Sequence, residues 1–303
     1  MKILVTGSRG QLGNELLRIL STGKSELGVL PDVLQGCEIV GADVGELDIS
    51  DADAVGRFFS EVCPDVVFNC AAMTNVDGCE TQEDLAYRVN ADGPGNLAAA
   101  CARSGARLLH VSTDYVFSGT AATPRTEYDS CEPATAYGRT KLAGERLVQE
   151  HCSNACVCRT AWLYGYEGNN FVKTMMRLGR EKGSVTVVSD QVGNPTCAVD
   201  LAYQMTVLAA SGETGIFHCT CGGDAVSWYA FTQAIMEAAG IDVQVRPCTT
   251  EEYTRVSSRP AKRPAYSALD NLRLRKTVGD VMRDWKVALD AWMRNYLDME
   301  CKR

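Results

Sequence analysis

The sequence is short of what several chemistries need. It holds three histidines, His110, His151 and His218, in 303 residues, and they are not spaced as metal ligands. Its 14 cysteines include no CxxC pair, so the spacing argues against zinc. A basic excess is also missing: 30 Lys and Arg stand against 38 Asp and Glu, a net charge of −8. That balance gives no general attraction to nucleic acid or to an anionic membrane, so a phosphate-bearing ligand has to be held by local donors. The stretch Met1 to Gly7 carries no basic segment, long apolar region or cleavage site, and the expectation is a cytoplasmic protein. Internal repeats, low-complexity tracts and linkers are absent as well.

What is present belongs to an ordered globule, with 46% apolar and 22% charged residues. The length exceeds that at which one core stops growing, so one large domain with an added lobe, or two domains, is expected. The cysteines are scattered through strand and helix patterns, with Cys152, Cys156 and Cys158 close together and Cys219 beside Cys221. In a chain too large to need staples they read as buried free thiols.

Strand and helix signals alternate along the first half. Lys2 to Thr6 is an apolar strand ending in a glycine turn, and Leu12 to Leu20 has helical spacing. Glu38 to Ala42 is a second strand, and Ser50 with Asp53 resembles a capping box for a helix through Glu61. Strands follow at Asp65 to Asn69, Arg107 to Ser112 and Ala155 to Arg159, separated by an alanine-rich helix ending near Ser104-Gly105 and a helix from Tyr137 towards Glu150. The pattern predicts an α/β fold with a parallel sheet covered on both faces. Residues 1–165 form the first domain, and 166–303 supply mostly a smaller, interleaved lobe. There the expected elements are helices Asn170 to Glu181, Val199 to Ala210 and Ser227 to Ala239, strands Thr186 to Ser189 and Gly215 to Cys219, a loop Arg255 to Tyr266 and a last helix Val281 to Asn295. The strands at Thr186 and Gly215 are candidates to rejoin the first sheet.

Gly7, Gly10 and Gly13 lie between a strand and a helix, where missing side chains let backbone amides, including those of Gln11 and Leu12, approach a pyrophosphate at the positive helix end. Asp43, ending the second strand, is placed to accept from an adenosine ribose, although it lies further from the glycines than usual because of an insertion around Thr22 to Gln35. That carboxylate favours NADH, while Arg9 inside the turn favours the extra phosphate of NADPH. Both cofactors stay open. Asp48 and Ile49 flank the adenine position, and Ala71, Ala72 and Thr74 lie where the nicotinamide half would pass. Tyr137 and Lys141 are four apart and share a helix face, where an ammonium stabilises a phenolate. With Thr113 to hold a substrate carbonyl, the set reads as a nicotinamide oxidoreductase whose proton donor is Tyr137.

These residues resemble the extended short-chain dehydrogenases, and within them the dTDP-4-dehydrorhamnose reductases. The likeness is carried by Gly7 to Gly13, Asn69 to Asp77, Val111 to Phe117, Tyr137 to Glu145, Arg159 to Tyr164 and Asp190 to Thr196, and it spans nearly the whole chain. The resemblance implies a Rossmann-type doubly wound domain with a substrate-binding lobe, and reduction of the C4 keto group of a nucleotide-linked 6-deoxy sugar, the last step of dTDP-L-rhamnose synthesis. By resemblance Thr113 bonds the keto oxygen, Lys141 lowers the Tyr137 pKa and binds the nicotinamide ribose, and Asn90 supports a proton path. Ser112 is set aside, because alternate strand residues point oppositely. Val76, Asp114, Tyr115 and Trp162 contact the sugar, Asn194 and Thr196 the sugar or nucleotide, and Arg259, with Arg263 beside it, the diphosphate. NADPH is favoured. Some members dimerise through a magnesium site built from acidic residues; its carboxylates are not assignable in this sequence, which leaves magnesium and homodimer open. Cys70, where the family usually has alanine, and the cysteine-rich stretch around Cys152 depart from the pattern.

Two rivals share these motifs. An epimerase or 4,6-dehydratase belongs to the same superfamily, but a dehydratase needs an acid where Tyr115 stands. The regulatory beta subunit of methionine adenosyltransferase resembles the same motifs and serves as a binding partner.

Overall fold

A computed structural model of the chain describes residues 1–257 and 260–301. Its centre is a six-stranded sheet of β1 (Lys2–Thr6), β2 (Glu38–Ala42), β3 (Val66–Asn69), β4 (Arg107–Thr113), β5 (Ala155–Thr160) and β6 (Gly215–His218). Every pairing in it is parallel, and the spatial order is β6-β5-β4-β3-β1-β2. Parallel neighbours need crossovers, and these run over both faces. Ile3, Val5, Phe68, Leu109 and Cys158 pack towards one face with Leu16, Ile19 and Val199, whereas Leu4, Val67, Leu108 and Val157 pack towards the other with Val55, Phe59 and Leu97. The strand interiors are therefore apolar on both sides, as a covered parallel sheet demands. The chain leaves β1 for β2 on one side and returns to β3 on the other, so the crevice of the doubly wound sheet opens at the carboxyl ends of β1 and β3.

Several boundaries differ from the sequence reading. The helix Ala52–Val62 is capped by Asp51, whose side chain accepts from the Asp53 and Ala54 amides, while the Ser50 hydroxyl donates to Asp48. The insertion at Thr22 to Gln35 is a small hairpin, Lys24–Ser25 against Gly28–Val29, followed by a turn at Asp32–Leu34. Gly215–His218 joins the sheet beyond β5, but Ser184–Val188 does not. It pairs in parallel with Gln244–Cys248, a strand absent from the sequence reading, to make a separate two-stranded sheet. A helix, Thr250–Val256, held by a capping box between Thr249 and Glu252, runs into the first two residues of the segment Arg255 to Tyr266 expected to be loop. The last helix runs Trp285–Cys301. Among the described residues no helix is long and apolar enough to cross a membrane, and no cysteine is paired.

Candidate active site

At the end of β1 the backbone of Gly7 turns left-handed, with φ of 62°, and a Cβ there would sit 2.7 Å from the Ala71 amide nitrogen. A Cβ on Gly13 would meet the Gly7 carbonyl oxygen at 2.2 Å. These two glycines are required by the turn itself. Gly10 caps the helix Gln11–Thr22 without a side-chain acceptor, and its first turn holds no acidic residue. The first-turn amides therefore keep their positive end for a ligand, and Gln11, Leu12 and Gly13 line a cleft of 720 Å³ that also takes in Gly7 and Gly10. A pyrophosphate fits this donor set.

The ribose end of that cleft carries Asp43, Asp48 and Ile49, together with Val44 and Leu47. Asp43 Oδ2 accepts from the Arg9 amide at 3.1 Å. The Arg9 guanidinium pairs with Glu46, whose other carboxylate oxygen accepts from the Asp43 amide at 3.0 Å. Arg9 thus stands beside the cleft, tied to an acidic partner that the sequence reading did not include. Ala71, Ala72, Thr74 and Val76 follow from the end of β3 and line the middle of the cleft.

Thr113 ends β4, and Tyr137 and Lys141 come from the helix Ala136–His151, all three in the same cleft wall. The helix starts at Thr135, whose hydroxyl accepts from the Gly138 amide at 3.0 Å. Thr113 Oγ1 donates to Asp114 Oδ1 at 2.9 Å and accepts from the Tyr115 amide at 3.2 Å. Its single proton is shared between partners inside the protein, the Asp114 carboxylate and the Tyr137 oxygen. Ser112, on the other side of the strand, donates to Glu145 at 2.5 Å. Glu145 in turn accepts from Arg159 at 2.9 and 2.7 Å, and both charges are almost wholly buried.

Burial sets the electrostatics. It pushes the Tyr137 phenol up, with Asp114 adding to the rise and the Thr113 hydroxyl working against it. Burial also pulls the Lys141 ammonium down to about 8, against Glu145 and Cys70. The expected lowering of the phenol by Lys141 does not operate in the chain alone: the lysine Nζ is directed to the Val111 carbonyl at 2.7 Å. Asp114 is raised to about 6, chiefly by burial, with the Ser267 and Thr113 hydroxyls working against the rise, and its buried Oδ2 has no well-aligned protein donor. Buried acceptors without partners are rare. This one, at the cleft, suits a ligand hydroxyl.

Tyr115 stands edge-on to Tyr137, with centroids 5.5 Å apart. Trp162 has φ of 47°, unusual for a bulky residue, and stacks flat on Trp228 at 3.4 Å between centroids. Tyr115 and Trp228 also line a second cavity of 410 Å³, walled by Phe171, Met175, Val187 and Arg263. The sequence reading missed Trp228 as well as Thr160, a cleft residue whose buried hydroxyl has no protein partner. The one available signal for Trp228 was its place directly after the Ser227 cap, at a helix end rather than on a core stripe.

Other expected site residues lie elsewhere. Asn90 accepts from the Met73 amide at 2.8 Å and donates to its carbonyl at 3.0 Å, which spends its amide on holding the segment after Ala72. Asn194 accepts from the Leu269 amide at 2.8 Å, and buried Thr196 serves the Cys221 amide. Neither lines the cleft. Arg263 pairs with Asp77 at 2.7 Å, and Arg259 lies outside the described residues. Among the described residues no group of three His, Cys, Asp or Glu side chains is arranged to hold a metal.

The family model described as RmlD substrate binding domain matches residues 1–297. A dTDP-4-dehydrorhamnose reductase of Mycolicibacterium smegmatis is 41% identical over 292 residues, covering 95% of this chain and 84% of its own. The crystal structure of a dTDP-4-dehydrorhamnose reductase from Clostridium acetobutylicum superposes with a TM-score of 0.91 at 49% identity, covering 98% of this chain and all of that one. Another, from Bacillus anthracis in complex with NADP, gives 0.88 at 36% identity over 97% of this chain and 99% of its own.

Proposed function

Because the chain belongs to the RmlD substrate binding domain family, that of the dTDP-4-dehydrorhamnose reductases, we propose that it reduces the C4 keto group of dTDP-4-dehydro-β-L-rhamnose to give dTDP-L-rhamnose. The observation that carries this reading is one cleft lined by the glycine turn, Thr113, Tyr137 and Lys141. A bound nicotinamide supplies the hydride. The uncapped first turn at Gln11 to Gly13 receives the pyrophosphate, and the small side chains of Ala71 and Ala72 leave room for the nicotinamide half. Burial keeps Tyr137 protonated at neutral pH, so it arrives at the keto oxygen as a donor and protonates the alkoxide as charge develops. Asp114 accepts a sugar hydroxyl through its open oxygen. Trp162 on Trp228 offers a flat apolar face for the 6-methyl side of the ring. The nucleotide lies in the adjoining apolar cavity, which Tyr115 and Trp228 connect to the cleft.

NADPH is the favoured cofactor. The NADP complex of the Bacillus anthracis relative and the guanidinium of Arg9 at the ribose end support it, against the carboxylates of Asp43 and Glu46. The test is direct: the purified chain is given NADPH and dTDP-4-dehydro-β-L-rhamnose, and NADPH absorbance and the NMR spectrum of the sugar are followed. Consumption of NADPH with appearance of dTDP-L-rhamnose is expected. No turnover with either nicotinamide overturns the reading in favour of a binding role.

A further inference from the structure

Behind the cleft a line of buried polar groups connects the glycine-turn strand to Lys141, and its hydrogen-bond polarity is fixed at one end by a backbone amide. The Ala71 N–H donates to Asn69 Oδ1 at 3.2 Å, and the Thr6 hydroxyl donates to the same oxygen at 2.7 Å. A backbone N–H can only donate, so the Asn69 amide has one orientation, with Nδ2 turned to His110 Nδ1 at 2.9 Å. Asn69 and His110 are register partners on β3 and β4, which explains the short contact. Nδ2 donates, so Nδ1 accepts. The imidazole is wholly buried, and both burial and Lys141 push its pKa far down. A neutral ring that accepts at Nδ1 must carry its proton on Nε2. That Nε2 lies 3.4 Å from Lys141 Nζ.

An ammonium has three donors and no lone pair, so it meets an N–H with repulsion. A neutral amine accepts that N–H and still donates to the Val111 carbonyl. We propose that His110 is a positioning residue, locked as the Nε2–H tautomer by Asn69, that presents this N–H to Lys141 and favours its amine form. Several other groups lie around Lys141. Glu145, one turn on in the same helix, and Cys70, at the end of β3, both favour the ammonium, and Cys158 on β5 acts through Cys70. Tyr137 lies one turn back and is held as the neutral phenol. His110 on β4 supplies an N–H donor opposing the charge. The result is a lysine poised between its two forms near neutral pH, able to exchange a proton when the phenol has given its own away.

The test starts on the wild-type protein without turnover, so it stands apart from the reductase reading; only its activity arm rests on that reading. Long-range proton–nitrogen NMR is expected to report His110 as the Nε2–H tautomer throughout the range from pH 6 to pH 9. Detection of the Nδ1–H tautomer overturns the proposal. In His110→Phe the opposing N–H is gone, and isotope-edited NMR of the Lys141 ε-carbon is expected to show its titration moved up by about one pH unit. The alkaline fall of kcat/KM moves with it, a displacement that mere loosening of the fold does not produce. His110→Leu, with a smaller apolar side chain, serves if His110→Phe does not fold: it removes the same N–H and is expected to raise Lys141 likewise. A Lys141 titration unmoved in the folded variants overturns the proposal.

Discussion

Gly138 and Tyr115 meet backbone to backbone: a Cβ on Gly138 would lie 2.1 Å from the Tyr115 carbonyl oxygen. The helix that carries Tyr137 and Lys141 can approach the end of β4 this closely because the residue between them has no side chain. Gly138→Ala is expected to cost about 1–3 kcal/mol as the helix is forced outward. Urea denaturation measures that cost, and a lower kcat at unchanged KM for the nicotinamide reports the displacement of Tyr137.

Tyr137→Phe removes the proposed proton donor and leaves the ring in place. The expected loss in kcat is ~10²-fold or more, the scale of general acid catalysis. Steady-state assays with a saturating nicotinamide decide it, and an unchanged kcat refutes the assignment.

Glu145 and Arg159 form an ion pair buried on both sides. Glu145→Leu or Arg159→Met alone leaves an uncompensated charge and is expected to cost about 3–5 kcal/mol. The double variant Glu145→Leu with Arg159→Met is expected to recover at least half of that in urea titrations. Additive losses would show that the two side chains act independently.

Burial pushes the Asp114 carboxyl up to about 6 from an ordinary 3.8. The folded chain therefore holds this proton where the unfolded chain releases it, and the group's contribution to stability falls as pH rises from about 4 to about 6, then stays level. Above pH 6 the penalty is about 3 kcal/mol. Asp114→Asn is expected to be more stable than wild type at about pH 7.5, to keep only about a third of that advantage near pH 4.5 and to lose the rest below about pH 3.5, while its KM for the sugar nucleotide rises. Equal urea midpoints for the two proteins at both pH values refute the assignment.

The Arg9 to Glu46 pair is 71% and 44% exposed, so its strength is limited to about 0.2–1 kcal/mol. Glu46→Gln releases the guanidinium for a 2′-phosphate and is expected to raise the preference for NADPH over NADH only about 2–5-fold. Calorimetry with 2′,5′-ADP against 5′-AMP checks the same balance without turnover, and an unchanged ratio refutes it.

The sheet strands and their crossover helices were legible because each is encoded locally, as in the apolar run Lys2 to Thr6 and the helical spacing after Leu12. The pairing of Ser184–Val188 with Gln244–Cys248 was not. The second strand is largely exposed, contains Pro247 and carries no strand alternation, so only contact with a partner some 60 residues away defines it. In the site, the residues next to the glycine turn could be placed from spacing alone. Asn194 and Thr196 could not, because their polar atoms are claimed by Leu269 and Cys221 from distant segments. The direction of Lys141 is likewise a tertiary fact, fixed by the Val111 carbonyl and the His110 ring.

The face-to-face indoles of Trp162 and Trp228 sit where the two cavities adjoin, one on a strained backbone and one opening a helix. Each ring is the other's floor. Replacing either indole alone therefore strips its mate of support, so the two side chains answer to substitution as one unit.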